Sequence, residues 1–449
     1  MKKLLVLLQV IFGAFYCRAQ TWYDVGGGIT WNNDGRRYYG VEAMTNDTIH
    51  HYLYVGGAFD SAGHMPMQNL ARWNGKNWSS IGDFYDTCIF ALCMYNDTLV
   101  IGDYLGNVTL VDSAGNILNF FSADGFINAL TTYKNELYVG GDFDEINDVP
   151  AVGIARYNGV NWESVDSGMQ NCCGNGENWA LYVWNNKLYA GGSYYQAGDS
   201  LANNIASWDD TTWASLGSGS DTRGTGKYNV GYIYSIGSYN NNLYIAGQFD
   251  SAGGVATNNI AKWSGARWDS VGTGLNNLPY NLGAYGIPFC FGEYKGSLYI
   301  GGELDSAGIL KWNDTLFSCP DLGVHYGGVF AIDTFQGILY IGGSFDSAGN
   351  SLINNIARWT LDTTTTDIKQ IGNNKELVSV HPNPTSGETT VTSSKNIQYI
   401  KVTDLLGQLI YEAQPKQPKF TFDLKETGMY FVTVTSGDEI ETKKVVVVR

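Results

Sequence analysis

One phrase returns along the chain: Leu53-Tyr54-Val55-Gly56-Gly57, Leu137-Tyr138-Val139-Gly140-Gly141, then Leu188 to Gly192, Leu243 to Gly247, Leu298 to Gly302 and Leu339 to Gly343. Leu99-Val100-Ile101-Gly102-Asp103 is a weaker copy. Start-to-start distances of 38 to 55 residues suit a four-stranded propeller blade better than a short solenoid repeat. In five copies an aromatic follows the second Gly by 16 positions, as from Gly57 to Trp73 and from Gly247 to Trp263. Another aromatic stands five residues further on, as in Trp73 and Trp78 or Trp208 and Trp213.

Each unit therefore offers four strands, a to d. In the first, strand a precedes Asn46-Asp47, b carries Leu53 to Phe59, c carries Asn69 to Trp73 and d carries Trp78 to Ile81. The diglycine ends strand b where a side chain would obstruct a close backbone, and the Trp residues fill the space between blades. The last unit stops at Trp359 without its second aromatic, whereas Trp22-Tyr23-Asp24-Val25-Gly26 matches Trp78-Ser79-Ser80-Ile81-Gly82. A ring completed by the N-terminal strand would leave no exposed sheet edge. The expected fold is all-β: a seven-bladed β-propeller over residues 20–360, closed by its N-terminal strand, then a small C-terminal β-sandwich. Composition agrees, with 56 Gly and 30 Tyr against only 16% charged residues. At 449 residues and 44% hydrophobic, two cores are available.

The units resemble the kelch-type repeats found around the central domain of galactose oxidase. In kelch repeats the two aromatics stand farther apart than five residues, so the resemblance carries over no catalytic residue.

Both ends read as export signals. Lys2 and Lys3 precede the apolar run Leu4 to Phe15, which is too short for a membrane anchor, and Cys17-Arg18-Ala19-Gln20 follows. This is the layout of a signal peptide over residues 1–19, cut between Ala19 and Gln20. The bulky Ala14-Phe15-Tyr16 argues against a lipobox at Cys17. No other apolar stretch is long enough for a transmembrane helix. Six cysteines remain, Cys88, Cys93, Cys172, Cys173, Cys290 and Cys319; they fit neither zinc nor redox spacing and are read as structural thiols or disulfides.

A Thr-rich linker over 361–376 leads to a second domain at 377–449. There Val380-His381-Pro382-Asn383-Pro384-Thr385-Ser386-Gly387 is followed by Asp404-Leu405-Leu406-Gly407-Gln408, Thr427-Gly428-Met429-Tyr430-Phe431-Val432 and Lys443-Lys444-Val445-Val446-Val447. These four motifs, in this order, resemble the C-terminal sorting domain (type A) of type IX secretion cargo, with His381 replacing the usual Tyr or Phe. The resemblance implies Pro382, Asn383, Pro384, Gly387, Gly407, Gly428, Tyr430 and Lys443 as motif residues and the type IX machinery as a partner. It also implies passage through the periplasm and outer membrane of a Bacteroidota-type bacterium to the cell surface or medium. Period-2 alternation in Tyr430-Phe431-Val432-Thr433-Val434 suits half-buried strands, and Pro382 and Pro384 are read as an irregular entry to the first strand.

The net charge of −16 argues against a nucleic-acid partner and suits an extracellular protein. Short turns join a to b and c to d, so the longer b-to-c and d-to-a connections share one face, the expected binding face. Blade-specific residues on it are Trp31, Tyr38, Tyr39, Trp179, Tyr194, Tyr195, Arg223, Tyr228, Tyr232, Tyr280 and Tyr285, types favoured at binding surfaces; the plain alternative is that they cover the core. The recurring Phe-Asp-Ser-Ala-Gly, with Asp60, Asp250 and Asp346, is read as a turn device rather than a calcium site. His50 and His51 are read as strand neighbours pointing to opposite faces. No acid and base pair, activated nucleophile or metal cluster stands out, so no catalytic residue, metal or cofactor is assigned. The expected function is a secreted binding or adhesion module for a glycan or surface protein. The alternatives are a glycan-active hydrolase on the same face and a structural surface-layer protein.

Overall fold

A computed structural model describes residues 20–31, 40–171, 174–221, 231–275, 286–304, 307–361, 378–404, 408–436 and 439–448. These residues are all-β, without an α-helix and with one 3-10 turn at Pro320–Leu322. The chain divides into two compact units, Met1–Asp362 and Thr363–Arg449.

The first unit is propeller-like. Val41–Asp47, Tyr52–Gly57, Leu70–Trp73 and Trp78–Ser79 pair in that order as one antiparallel sheet. Phe126–Tyr133, Glu177–Trp184, Tyr232–Tyr239 and Ile287–Tyr294 open further sheets of the same order. Their innermost strands stand side by side in sequence, starting with Val41–Asp47 beside Ile89–Tyr95, and Gly328–Phe335 lies again beside Val41–Asp47. The a-to-b turns are tight because Asn and Asp accept positive φ, as at Asn96 (47°) and Asp97 (63°). His50 and His51 belong to such a turn, between Val41–Asp47 and Tyr52–Gly57, and not to a strand. His50 Nδ1 lies 2.9 Å from Asp47 Oδ2.

Gln20–Asp24 pairs with Ile356–Leu361, and Trp22 stands opposite Trp359. Trp73 and Trp78, Trp208 and Trp213, and Trp263 and Trp268 face each other in the same register. Trp78, Trp268 and Trp22 also share a kind of backbone contact. Nε1 of Trp78 donates to Val25 O at 2.8 Å, that of Trp268 to Leu216 O at 2.7 Å, and that of Trp22 to Pro320 O at 3.2 Å.

The b-to-c connections are more than loops. Phe-Asp-Ser-Ala-Gly opens a small hairpin, such as Ser61–Ala62 with Met65–Pro66, to which Ile29–Thr30 adds a third strand. Asp60, Asp250 and Asp346 start these hairpins: the carbonyl of Asp60 accepts from Met67 N, that of Asp250 from Thr257 N and that of Asp346 from Ile353 N. An Asn then closes four of them, buried at positions 69, 204 and 259 and half-buried at 355. The side-chain oxygens of Asn69, Asn204, Asn259 and Asn355 accept from the amides of Phe59, Tyr194, Phe249 and Phe345. Their side-chain nitrogens donate to Phe84 O, Ser220 O, Gly286 O and Ile29 O, which ties each hairpin to a segment leading into another sheet. The sheet around Leu99 lacks the hairpin; Thr98–Asp103 turns directly into Asn107–Val111.

Cys88, Cys93, Cys290 and Cys319 are free thiols, and Cys172 and Cys173 lie outside the described residues. Burial pushes the thiols up, Cys93 to about 12 and Cys319 to about 11.

In the second unit the long strand Glu388–Thr403 organises the rest. Its first half pairs with Val378–His381 and Gln417–Asp423, its second with Leu409–Ala413 and Gly428–Ser436, and Glu439–Val447 extends the last of these. Val391, Ile400, Val402, Phe422, Val432 and Val445 form its core. Pro382 and Pro384 follow the first strand instead of leading into it; they break the ladder between Val378–His381 and Glu388–Thr403.

Candidate functional site

The diglycine does more than end a strand. A Cβ at Gly57 would lie 2.0 Å from Gly40 O, and at Gly192 or Gly247 it would lie 1.9 Å from the carbonyl of Glu177 or Tyr232. Without those Cβ atoms the inner strand can crowd in and insert one extra residue, a β-bulge. The register skips Glu42 between Val41 and Ala43, Phe90 between Ile89 and Ala91, and Asn128 between Ile127 and Ala129. It likewise skips Trp179, Tyr234, Phe289 and Phe330. The first Gly of the pair receives a neighbouring sheet: Cβ atoms at Gly56, Gly191 and Gly342 would meet Ile89, Ile233 and Val41.

The bulge residues converge. Glu42, Phe90, Asn128, Trp179, Tyr234, Phe289 and Phe330 all line one cavity of ≈ 670 Å³, with Glu303, Tyr326, Gly327 and Ser344 completing it. Each bulge lies within the first three residues of its inner strand, so the cavity sits at the end where the d-to-a connections arrive. Four rings form a continuous wall. Trp179 meets Tyr234 at 5.6 Å and 88°, Tyr234 meets Phe289 at 5.4 Å and 50°, and Phe289 meets Phe330 at 5.5 Å and 74°. Trp179 Nε1 donates to Glu177 Oε2 at 3.0 Å, and the Tyr234 hydroxyl donates to Gln248 Oε1 at 3.2 Å. Burial raises the Tyr234 phenol to about 12 and the Glu42 carboxyl to about 7.

Of the residues singled out from the sequence, Trp179 is in this cavity. Tyr232 stacks on Tyr234 at 6.0 Å and 10°, next to it. Tyr194 is a correction: it is fully buried, packs in the core and donates its hydroxyl to Ala190 O at 2.5 Å, so it presents nothing to a ligand. Tyr195 is exposed at the start of a b-to-c hairpin, and Trp31 is half-buried after Ile29–Thr30. Tyr38, Tyr39, Arg223, Tyr228, Tyr280 and Tyr285 lie outside the described residues, as do Ala19 and Gly407. Gln20 begins the strand that pairs with Ile356–Leu361. The sequence did carry a signal for the missed residues. Val41-Glu42-Ala43, Ile89-Phe90-Ala91, Ile233-Tyr234-Ser235 and Val329-Phe330-Ala331 each place a variable residue between a β-branched and a small one.

The motif residues of the second unit meet across some sixty positions of sequence. Asn383 Nδ2 donates to Lys444 O at 2.7 Å while its Oδ1 accepts from Val446 N at 2.9 Å, so one side chain imitates a strand partner. Thr385 continues the pairing through its own amide to Val446 O and its carbonyl from Val448 N, each at 2.8 Å. Gly387 holds φ at 138°, and a Cβ there would lie 2.6 Å from Asp423 Oδ1. The Tyr430 hydroxyl donates to Glu426 O at 3.0 Å, and Lys443 pairs with Glu441 at 2.7 Å. Pro382 and Pro384 lie in the turn after Val378–His381, and Gly428 opens Gly428–Ser436 opposite Val447.

Residues 379–448 match the family model of the secretion system C-terminal sorting domain. The chain is therefore exported to the cell surface or extracellular space, with the type IX machinery as a partner of this domain. No helix of the described residues is long and apolar enough to cross a membrane. Among solved structures, the chain is similar to the extracellular domain of a putative one-component system from B. thetaiotaomicron, with TM-score 0.51, 10% identity and coverage of 94% of this chain and 52% of that one. It is also similar to PorZ, a surface component of the type IX secretion system of Porphyromonas gingivalis, with TM-score 0.44, 13% identity and coverage of 94% and 61%. The WD40 β-propeller domain of Doa1 matches with TM-score 0.48, 10% identity and coverage of 76% and 98%. The chain thus spans only 52% and 61% of the first two structures. No curated protein matches it in sequence.

Proposed function

We propose that the chain is a seven-bladed β-propeller, closed by Gln20–Asp24 and carried out by a β-sandwich sorting unit, that binds a glycan or surface protein. The observation that supports this is the convergence of bulge residues on one cavity at the long-loop end. A bulge costs ladder hydrogen bonds, and bulges recur where a side chain is re-aimed. Here the repeated backbone device delivers residues that do not repeat, from Glu42 to Trp179, which is how a scaffold acquires specificity. The test is binding of the secreted chain to a glycan array and to cell surfaces, compared with Trp179→Ala and Phe289→Ala variants. Unchanged binding by both variants rejects the cavity as the site.

A hydrolase is the second reading, because Glu42 and Glu303 line the same cavity and burial holds Glu42 near the range of a general acid. Release of reducing ends from a glycan that is lost in Glu42→Gln and in Glu303→Gln would decide for it.

A further inference from the structure

The Glu42 carboxylate is half-buried at the cavity wall, and among the described residues no hydrogen bond or ion pair holds it. An unpaired carboxylate in such a place is costly unless a cation or donor arrives to meet it. Around it the described lining offers aromatic faces and a second carboxylate, Glu303, but no Lys or Arg. The rings of Trp179, Tyr234, Phe289 and Phe330 do not form one flat shelf. Successive planes turn by 88°, 50° and 74° at centroid spacings of 5.4 to 5.6 Å, so the cavity wall they build is made of differently tilted rings. A sugar ring stacks on one plane; a compact onium group is held by several at once through the negative faces of the rings.

We propose that this cavity takes an alkylammonium group, boxed by Trp179, Tyr234, Phe289 and Phe330 and neutralised by Glu42. The inference deepens the binding reading above and rests on it. At ≈ 670 Å³ the cavity holds more than the onium, so the group is the anchoring end of a larger ligand.

The test uses the full secreted chain, choline as the cation and 3,3-dimethyl-1-butanol as its uncharged isostere, with binding read by calorimetry and by Trp fluorescence. Choline is expected to bind at least tenfold more tightly than the isostere. Glu42→Gln and Trp179→Ala should each weaken choline at least tenfold. Val160→Ala, in an exposed turn, should leave it unchanged. Thermal unfolding of each variant separates loss of the site from loss of the fold. Retention on phosphatidylcholine vesicles, competed by choline, assigns the group to a lipid headgroup; binding of free choline alone assigns it to a soluble solute. Equal affinity for choline and isostere overturns the proposal. If neither binds but Trp179→Ala abolishes glycan or surface binding, the ammonium inference falls and the binding reading stands. If neither binds and Trp179→Ala changes nothing, both fall.

Discussion

The indole of Trp22 donates to the backbone oxygen of Pro320, 298 positions away, in the manner of Trp78 with Val25 and Trp268 with Leu216. A residue just beyond the predicted cleavage point thus occupies a place that other sheets fill from within their own repeat. Trp22→Ala should cost about 3 to 5 kcal/mol, the range for deleting a buried large aromatic. Thermal unfolding of the secreted chain checks it. A loss within 1 kcal/mol of zero would mean that the N-terminal strand adds little.

Gly192→Ala places a methyl 1.9 Å from Glu177 O, where only backbone could yield, and should cost about 3 kcal/mol or more. Gly265→Ala is the control. Its φ of 93° is unfavourable to any side chain but its surroundings are open, so about 1 kcal/mol is expected. Denaturant midpoints at constant m-value measure both.

Glu42 carries a pH dependence whose sign follows from its raised folded value, about 7 against an ordinary 4.5. The proton is held more tightly in the folded chain. The stability it contributes is therefore complete below pH 4.5 and disappears as pH rises through 7. Burial of Asp333, raised to about 6, acts in the same direction. Glu42→Gln, neutral throughout, should match the parent near pH 5 and exceed it at pH 8 by at most about 3 kcal/mol. Melting curves at the two pH values suffice, and a gap that closes on going to pH 8 contradicts the assignment.

Asn383→Ala strips the partners of Lys444 O and Val446 N and should destabilise the sorting unit by about 1 to 3 kcal/mol. In a host with the type IX machinery, less chain should reach the surface. Lys443→Gln, which removes a surface ion pair with Glu441, should fall within about 1 kcal/mol of the parent. Immunodetection on intact cells, alongside unfolding curves, reads both effects.

The repeat was legible because its carriers are side chains at fixed spacing: Tyr54, Tyr138, Tyr244 and Tyr299 are buried, and the Trp pairs face each other across the c and d strands. The cavity was harder to read, since a bulge is a mismatch between two strands: the triplets around Glu42, Phe90, Tyr234 and Phe330 mark a variable residue but not that the partner strand skips it. Phe90, Phe289 and Phe330 read as ordinary strand aromatics, and Tyr194 looked blade-specific where it is a core residue. The Asn that closes four of the hairpins was passed over for a similar reason. Asn204 and Asn259 look like loop residues until their side chains are seen to clasp backbone 16 and 27 positions away.

The pairing of Gln20–Asp24 with Ile356–Leu361 also sets a timetable. The strand synthesised first finds its neighbour only when the last repeat has been made, so an emerging chain carries an unpaired strand for nearly the whole length of the unit. Closing so long a loop is slow even where its equilibrium cost is modest. Until Ile356–Leu361 is made, the edge of that first strand stays without the partner that the closed sheet gives it.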